Sequence, residues 1–307
     1  MRLTTFRADL LLLAAAVIWG SGFVAQRLGS EHLGAFAFTG LRFSLGTLVL
    51  LPLLMVAPWP AHVAREASSR ATWKGGVLAG LVMLAAANAQ QLGLGGTTAS
   101  SGAFITSLYV VFVPFLGLFA RQRIGWPVWT GVALAGVGLV LLGMTDQYTM
   151  STGDLWVLVC AVLWSVHVVV VGRFTKDAEP IRLSLIQLGI TGFGALAIAL
   201  VRGDVTMAAA ESAKWAVLYG AVLPVAVAFT LQVIAQKKAP PTHTALILSL
   251  ESVFGMVAGM LFLAERPTAQ QHVGAALMLA GVVVSQAIRP KDIEEAEQAV
   301  HDDPQPR

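Results

Sequence analysis

Two ionisable side chains lie well inside apolar stretches, where a charge is costly to hold. Arg42 lies within residues 34–56, and Glu251 lies within residues 243–263. Charged side chains in hydrocarbon usually face the protein interior, where they are paired or functional. Three interpretations are open. The two residues form a structural or gating ion pair, or Glu251 binds a substrate amine or a proton, or Arg42 extends outward while hydroxyl groups or a helix end hold Glu251.

A pair of tryptophans, Trp19 and Trp164, occupies equivalent positions in two apolar stretches that repeat at an offset of 145 residues. Indoles normally collect at the membrane interface, whereas these two lie about ten residues into each stretch. Gly22 shares the helical face of Trp19, and His167 shares that of Trp164. The pair predicts either a cavity with aromatic walls for an organic substrate or bulky packing between helices.

Further polar side chains lie in the first half of the chain. Asn88 and Gln91 follow one face of the third apolar stretch, and Tyr109 lies in the fourth. Buried amides in a membrane either join helices by hydrogen bonds or line a wet cavity. Both interpretations are open for these three residues.

Catalytic chemistry finds little support. Ser21, between two glycines, and His167 suggest a serine–histidine pair, because a nucleophile needs a base within hydrogen-bond reach. The repeated segment carries no matching arrangement, and no His, Asp and Glu residues have the spacing of metal ligands. No phosphate-binding loop is present either. The sequence predicts no catalytic residue, no metal and no cofactor, and a membrane enzyme is a remote alternative.

The elements that must position these residues are membrane helices. Of 307 residues, 56% are hydrophobic and only 12% are charged, and the mean hydropathy is +0.74. Such a chain cannot surround itself with a polar surface. The net charge of +3 comes from residues that border apolar stretches, which argues against nucleic acid as a partner. Ten stretches are long enough to cross a bilayer as helices: about 10–28, 34–56, 75–93, 99–120, 126–144, 155–172, 183–201, 215–235, 243–263 and 270–288.

The two halves of the chain repeat each other. Asp9 matches Asp154 at the offset of 145, and further along Ser107 matches Ser249 at an offset of 142. Five spans in each half is an odd number, so the halves cross the membrane in opposite senses. We therefore predict an all-α integral membrane protein of ten transmembrane helices in two inverted five-helix repeats. The predicted segments are a cytoplasmic N-terminus at 1–8, repeats at 9–146 and 152–288, and a disordered acidic cytoplasmic tail at 289–307.

Orientation follows from the lysines and arginines. With a cytoplasmic N-terminus, 15 of the 20 fall in segments on the inside and four on the outside, and Arg42 lies within a span. Cytoplasmic segments carry the excess of positive charge in membrane proteins. Both termini are therefore predicted to be cytoplasmic.

These features resemble the EamA family of the drug/metabolite transporter superfamily. The resemblance rests on Ala-Val-Ile-Trp-Gly at 16–20, its echo Ala-Val-Leu-Trp-Ser at 161–165, and the segments 246–254 and 263–267, together with the ten spans. It implies a central cavity between the halves and export of amino acids or related metabolites across a bacterial inner membrane. In the family the first half commonly closes with a glutamate like Glu265, where this chain has residues 121–123, Arg-Gln-Arg.

We expect a transmembrane exporter of small amphipathic metabolites, with amino acids, including aromatic ones, as the leading class, working by alternating access. A hydrophobic-cation exporter with proton antiport is the alternative. The expected partners are a small-molecule substrate and the lipid bilayer, with protons as a further candidate, and the functional unit is expected to be a monomer. The expected cavity residues are Trp19, Gly22, Asn88, Gln91, Tyr109, Trp164, His167 and Glu251.

Overall fold

The computed structural model describes residues 5–52, 67–119, 124–143, 151–264 and 266–287, and every regular element within them is a helix. In chain order the elements are α1 (Thr5–Gly29), α2 (Ala35–Leu50), α3 (Ser69–Leu94), α4 (Ala99–Thr106), α5 (Tyr109–Phe119), α6 (Trp126–Gly143), α7 (Thr152–Phe174), α8 (Pro180–Arg202), α9 (Met207–Ser212), α10 (Lys214–Gly220), a π-helical segment (Ala221–Ala228), α11 (Phe229–Ala235), α12 (Pro241–Leu248), α13 (Glu251–Phe262) and α14 (Ala269–Ala287).

Seven stretches of helix are long and apolar enough to cross a membrane: Thr5–Gly29, Ser69–Leu94, Ala99–Phe119, Thr152–Phe174, Pro180–Arg202, Lys214–Ala235 and Pro241–Phe262. Three further apolar helices are shorter, at Ala35–Leu50, Trp126–Leu142 and Ala269–Ser285. Large apolar side chains such as Phe119, Val201 and Leu261 point outward and are mostly exposed. A surface of this kind requires a hydrocarbon solvent. The chain is a multi-span membrane protein.

Two predicted spans are broken at equivalent positions. The first breaks between α4 and α5 at Ser107, whose backbone N–H donates to the carbonyl of Ala103 at 3.1 Å. The second breaks between α12 and α13 at Ser249, whose N–H donates to Ala245 at 2.9 Å. These donors and acceptors correspond at the 142-residue offset. As a result Tyr109 and Glu251 each begin the helix that follows the break.

A third irregularity occurs in the second half alone. The segment Ala221–Ala228 is a π-helix with Pro224 inside it, whereas the equivalent part of α3 is a regular α-helix. Proline has no backbone N–H and its ring crowds the preceding turn, so a helix that contains it must bend or widen. The backbone of this span is therefore free to contact side chains from other helices.

The last helices of the two halves, α6 and α14, pack through glycines. A Cβ at Gly131 would lie 2.6 Å from the carbonyl oxygen of Gly281, and one at Gly138 would lie 2.5 Å from that of Gly274. At an offset of 143 residues, Gly131 corresponds to Gly274 and Gly138 to Gly281. Exchange of the two helices therefore turns one contact into the other, which is the pattern that a two-fold axis between them produces.

Several sequence predictions fall on residues outside this description. They are the tail at 289–307, the Arg-Gln-Arg segment at 121–123, and Glu265. The predicted N-terminal segment 1–8 is described only from Thr5, where α1 begins.

Candidate functional site

A cavity lies among helices from both halves of the chain, and its empty space, open solvent included, amounts to about 520 Å³. The cavity is lined by Trp19, Phe23, Gln26, Arg42, Gln90, Thr106, Tyr109, Trp164, Val168, Pro224, Phe229, Gln232, Leu248 and Glu251. Five residues that the sequence singled out, Trp19, Arg42, Tyr109, Trp164 and Glu251, are therefore brought together.

One wall of the cavity is aromatic. The ring of Phe229 lies 4.7 Å from that of Trp19 and 5.5 Å from that of Trp164, and it stacks on Trp164 at an interplanar angle of 25°. Phe229 thus joins the two equivalent tryptophans into one surface. Sequence reasoning missed it because its counterpart at the 142-residue offset is Ala87, so the repeat gives no signal there.

The indole of Trp19 is held by the irregular span. Its Nε1 donates a hydrogen bond to the carbonyl oxygen of Pro224 at 3.0 Å. Gly22, one turn further along α1, makes room for the same proline, since a Cβ there would lie 3.1 Å from Pro224 Cγ. Gly22 is therefore adjacent to the cavity wall and is not itself among the lining residues.

Arg42 is buried and unpaired. The residue is 3% exposed, and its Nε has no hydrogen-bond partner. The guanidinium carbon lies 5.3 Å from the ring centre of Phe38 and 5.0 Å from that of Phe43. Aromatic faces attract a cation but accept none of its N–H groups in the way that a carboxylate does.

Glu251 is buried in the same cavity at 4% exposure. The hydroxyl group of Ser107 donates to its Oε1 at 3.5 Å, and the hydroxyl group of Tyr109 also lies beside the carboxyl group. Among the residues that the structure describes, no ion pair involves Glu251 or Arg42. The ion pair between Arg42 and Glu251, one of the interpretations left open by the sequence, is not formed here. Glu251 instead accepts a hydrogen bond from a hydroxyl group, as another interpretation allowed.

Tyr109 corresponds to Glu251 across the two helix breaks and lines the same cavity. Tyr109 is 4% exposed, and its hydroxyl group lies beside the Glu251 carboxyl group without forming a well-aligned hydrogen bond. A buried hydroxyl that lacks a partner carries a free-energy cost. A polar group of a ligand in the cavity would remove that cost.

Three of the predicted cavity residues lie beside the cavity. Asn88 Nδ2 donates to the carbonyl of Leu84 at 2.7 Å, within its own helix. Gln91 Nε2 donates to the carbonyl of Gln26 at 3.0 Å and so joins α3 to α1. None of Asn88, Gln91 and His167 is among the lining residues.

His167 is fully buried behind the aromatic wall. Its Nε2 shares a hydrogen bond of 3.1 Å with Gln187 Oε1, which joins α7 to α8. Its ring meets that of Trp164 edge-on at 5.3 Å. His167 therefore contacts Trp164 without itself lining the cavity.

Two glutamines supply polar lining that was not among the predicted site residues. Gln90 Nε2 donates to the hydroxyl of Thr106 at 3.2 Å, and Gln232 Nε2 donates to Gln236 Oε1 at 3.1 Å. Gln90 and Gln232 correspond at the 142-residue offset, and both line the cavity. Their symmetry was the signal that could have identified them.

The serine–histidine pair is not assembled. The Ser21 hydroxyl shares a hydrogen bond of 2.6 Å with the hydroxyl of Tyr219 and contacts carbonyls of its own helix, while His167 bonds to Gln187. Within the described part of the chain, no group of three or more His, Cys, Asp and Glu side chains is placed to hold a metal ion. The site places polar and charged side chains beside aromatic rings.

A multi-span helical membrane protein with such a cavity has the architecture of a transporter, and comparison with known proteins identifies the class. The chain belongs to the EamA-like transporter family, whose model matches residues 6–144 and again residues 151–286. The family resemblance inferred from the sequence is thereby confirmed.

Relatives with full-length similarity are also transporters. An uncharacterized transporter of Archaeoglobus fulgidus is 29% identical over 286 residues, covering 90% of this chain and 85% of its own. The threonine/homoserine exporter RhtA of Escherichia coli is 27% identical over 278 residues, covering 88% of each chain. A solved crystal structure with 19% identity has a TM-score of 0.68 and covers 91% of this chain and 96% of its own, which shows the shared fold.

Proposed function

We propose that this protein exports small amphipathic metabolites, with amino acids as the leading class, across the inner membrane by alternating access. The observation that carries the proposal is the composition of the cavity: an aromatic wall of Trp19, Phe229 and Trp164 faces a lining that also holds one buried basic and one buried acidic side chain. Apolar surface with a few placed polar groups is the usual composition of a small-molecule site. That RhtA exports threonine and homoserine adds support.

The proposed architecture is ten transmembrane helices in two inverted repeats, at residues 9–146 and 152–288. Two separate family matches, one in each half, support this division. The equivalent helix breaks and the reciprocal glycine contacts between α6 and α14 support a two-fold relation between the halves. Inverted repeats place the substrate site near the axis that relates them.

Contacts at the ends of the repeats fit an alternating mechanism. Asp9 Oδ1 of α1 lies 2.8 Å from His243 Nε2 at the start of α12. Asp154, the counterpart of Asp9, accepts a hydrogen bond of 2.6 Å from the hydroxyl of Thr97, just before α4. Each contact ties the first helix of one half to the broken span of the other half. In the proposed orientation the two contacts lie at opposite faces of the membrane. Each face therefore has one contact that holds the two halves together.

We propose that both termini are cytoplasmic, because the lysine and arginine bias favours this orientation. We also propose that a single chain is the functional unit, since one chain supplies a complete aromatic wall and both charged lining residues.

Export of hydrophobic cations with proton antiport is the second candidate, and Glu251 is the observation that favours it. A buried carboxylate in a membrane cavity can bind a cation or exchange a proton. Arg42 in the same lining argues against it, because its positive charge would repel a substrate that carries only positive charge. A membrane enzyme is disfavoured by the separation of Ser21 from His167 in the hydrogen-bond pattern.

The test is uptake of a radiolabelled amino-acid panel into proteoliposomes that contain the purified chain, with and without an imposed pH gradient. Trp164→Ala removes part of the aromatic wall. Trp156→Ala is the matched control, since Trp156 lies on the same helix and is 44% exposed on the outer surface. We expect saturable uptake that Trp164→Ala abolishes and Trp156→Ala retains.

Two results would change the assignment. Uptake of no panel member by folded protein, together with uptake of aromatic cations, would replace amino acids by drug-like cations. Equal uptake by Trp164→Ala and the wild type would remove the cavity from the transport path. Faster amino-acid uptake in the presence of the pH gradient would indicate that a protonatable group takes part in transport.

A further inference from the structure

We propose that Arg42 and Glu251 are the two poles that select zwitterionic substrates, with Arg42 binding a carboxylate and Glu251 binding an ammonium group. This inference rests on the proposed function and assigns the specificity of that site to two residues. It requires that both side chains reach the cavity, that neither is neutralised by the protein, and that their chemistry matches the substrate.

The first requirement is met by position. Arg42 comes from α2 in the first half, and Glu251 begins α13 in the second half. Both line the same cavity, although each residue is less than 5% exposed. A ligand that occupies this cavity is therefore within reach of one positive and one negative side chain.

The second requirement is met on the side of Arg42. The rings of Phe38 and Phe43 are its neighbours, and no hydrogen bond or ion pair holds its guanidinium among the described residues. A buried guanidinium without acceptors is costly, and the cost is removed when an anion enters. A carboxylate is the anion whose two oxygens match the planar fork of N–H donors.

Glu251 is likewise left for a partner. The contact from the Ser107 hydroxyl, at 3.5 Å, is long for a hydrogen bond to a carboxyl group. A carboxylate has about four lone-pair positions, so most of its accepting capacity remains. An ammonium group supplies three donors and the opposite charge, and the hydroxyl of Tyr109, which lies beside the Glu251 carboxyl group without a well-aligned hydrogen bond, is a further polar group on the same wall.

An acidic and a basic side chain that line one cavity without an ion-pair partner favour a ligand that carries both charges. A simple amine would leave Arg42 unmatched, and a simple acid would leave Glu251 unmatched. An amino acid satisfies both, and its side chain can lie against the aromatic wall. Selection then comes from the penalty on a wrong substrate, which leaves a buried charge without a partner.

The experiment compares matched analogues as competitors of a labelled parent in proteoliposomes of the full chain. The first series is phenylalanine, 2-phenylethylamine and 3-phenylpropionate; the second is threonine, 1-amino-2-propanol and 3-hydroxybutyrate. Each series keeps the side chain and removes either the carboxylate or the amine. We expect the parent to compete at least about 10-fold better than either analogue, because each lost charge-assisted hydrogen bond is worth about 10- to 100-fold.

Two variants assign each pole. Glu251→Gln should weaken competition by the parent amino acid about 10-fold or more and should not weaken competition by 3-phenylpropionate, which has no amine to lose and no longer leaves a buried carboxylate unmatched. Arg42→Gln should weaken competition by the parent similarly and should not weaken competition by 2-phenylethylamine, which no longer leaves a buried guanidinium unmatched. Arg42→Lys keeps the charge and should lose less than Arg42→Gln. A purely structural role would weaken parent and analogues equally, which this comparison detects.

The outcomes separate failure of this inference from failure of the proposed function. Absence of amino-acid uptake would remove the proposed function itself. Uptake of amino acids with equal competition by both analogues would overturn the two-pole assignment while leaving transport intact. Unchanged amino-acid affinity in Glu251→Gln, with loss of acceleration by a pH gradient, would make Glu251 a proton carrier and overturn its role as the ammonium pole.

Discussion

The indole Nε1 of Trp19 donates a hydrogen bond to the carbonyl oxygen of Pro224 at 3.0 Å, which ties α1 to the π-helical segment of the other half. Trp164 occupies the equivalent position in the second half and makes no such bond. The two tryptophans therefore have the same place in the repeat and different roles. Both rings contact Phe229, and Trp19 in addition connects the cavity wall to an irregular backbone.

Replacing each tryptophan by phenylalanine separates these roles. Trp19→Phe should lower the free energy of unfolding by about 1 kcal/mol, because it keeps a ring and loses the hydrogen bond. Trp164→Phe serves as the control and should change stability less. Chemical unfolding in detergent measures the difference, and equal losses in the two variants would show that the bond to Pro224 contributes nothing specific.

Phe229 should be required for the shape of the aromatic wall. Phe229→Ala separates Trp19 from Trp164, so we expect weaker competition by aromatic amino acids and a stability loss of about 3 kcal/mol. Phe193→Ala is the control, because Phe193 is 52% exposed on the outside of α8. Competition assays and thermal unfolding read the two effects. Unchanged discrimination among aromatic substrates in Phe229→Ala would remove Phe229 from the site.

The glycine contacts between α6 and α14 predict that one glycine-to-alanine substitution in α6 stabilises the protein and that another destabilises it. Alanine normally stabilises a helix relative to glycine by about 0.5–1 kcal/mol. Gly136→Ala should follow this rule, since its Cβ would meet only Val111 Cγ2 at 3.6 Å. Gly138→Ala should destabilise the protein, because its Cβ would lie 2.5 Å from the carbonyl of Gly274. Thermal unfolding of the two variants, compared with wild type, tests the packing directly.

Ser21 should not be required for transport, because we expect it to have no catalytic role. Ser21→Ala removes the hydrogen bond to Tyr219, and Tyr219→Phe removes the same bond from the other side. We expect both variants to transport and to lose about 1 kcal/mol of stability. Loss of function in Ser21→Ala alone, with Tyr219→Phe active, would point to a nucleophilic serine and revive the enzyme alternative.

Orientation can be tested by labelling, because the single cysteine of the chain, Cys160, is fully buried. Glu31→Cys lies between α1 and α2, and Lys176→Cys lies between α7 and α8; both positions are exposed. In intact cells an impermeant maleimide should label Glu31→Cys and spare Lys176→Cys until the cells are permeabilised. The reverse pattern would place the N-terminus outside.

Helix positions could be predicted closely from the length of the apolar stretches, because a helix must be long and apolar enough to cross the hydrocarbon core of the bilayer. The predicted stretch 126–144 corresponds to α6 at Trp126–Gly143, and 155–172 lies within α7. The breaks inside two spans could not be predicted, since Ser107 and Ser249 interrupt helices without any glycine or proline at the break itself. Pro224 lies within the predicted stretch 215–235, and the structure has a π-helical segment around it.

The candidate site was predictable where a residue stood out by type or by repetition. Arg42 and Glu251 were visible because charge is rare in a span, and Trp19 and Trp164 because they repeat. Rotation about a helix axis was harder to infer: Gln90 lines the cavity, whereas its neighbour Gln91 bonds to α1. In a helix hydrophobic all round, the pattern of polar positions does not reveal which face meets the cavity.

The glycine contact between α6 and α14 has the symmetry by which two copies of one subunit meet. Two identical half-length chains joined in that way would carry the same residue after both helix breaks, and so would bring two acids to the cavity or none. The continuous chain carries Tyr109 after one break and Glu251 after the other. A single carboxylate in the cavity is thus a property that covalent fusion of the halves makes available and that a symmetric dimer cannot have.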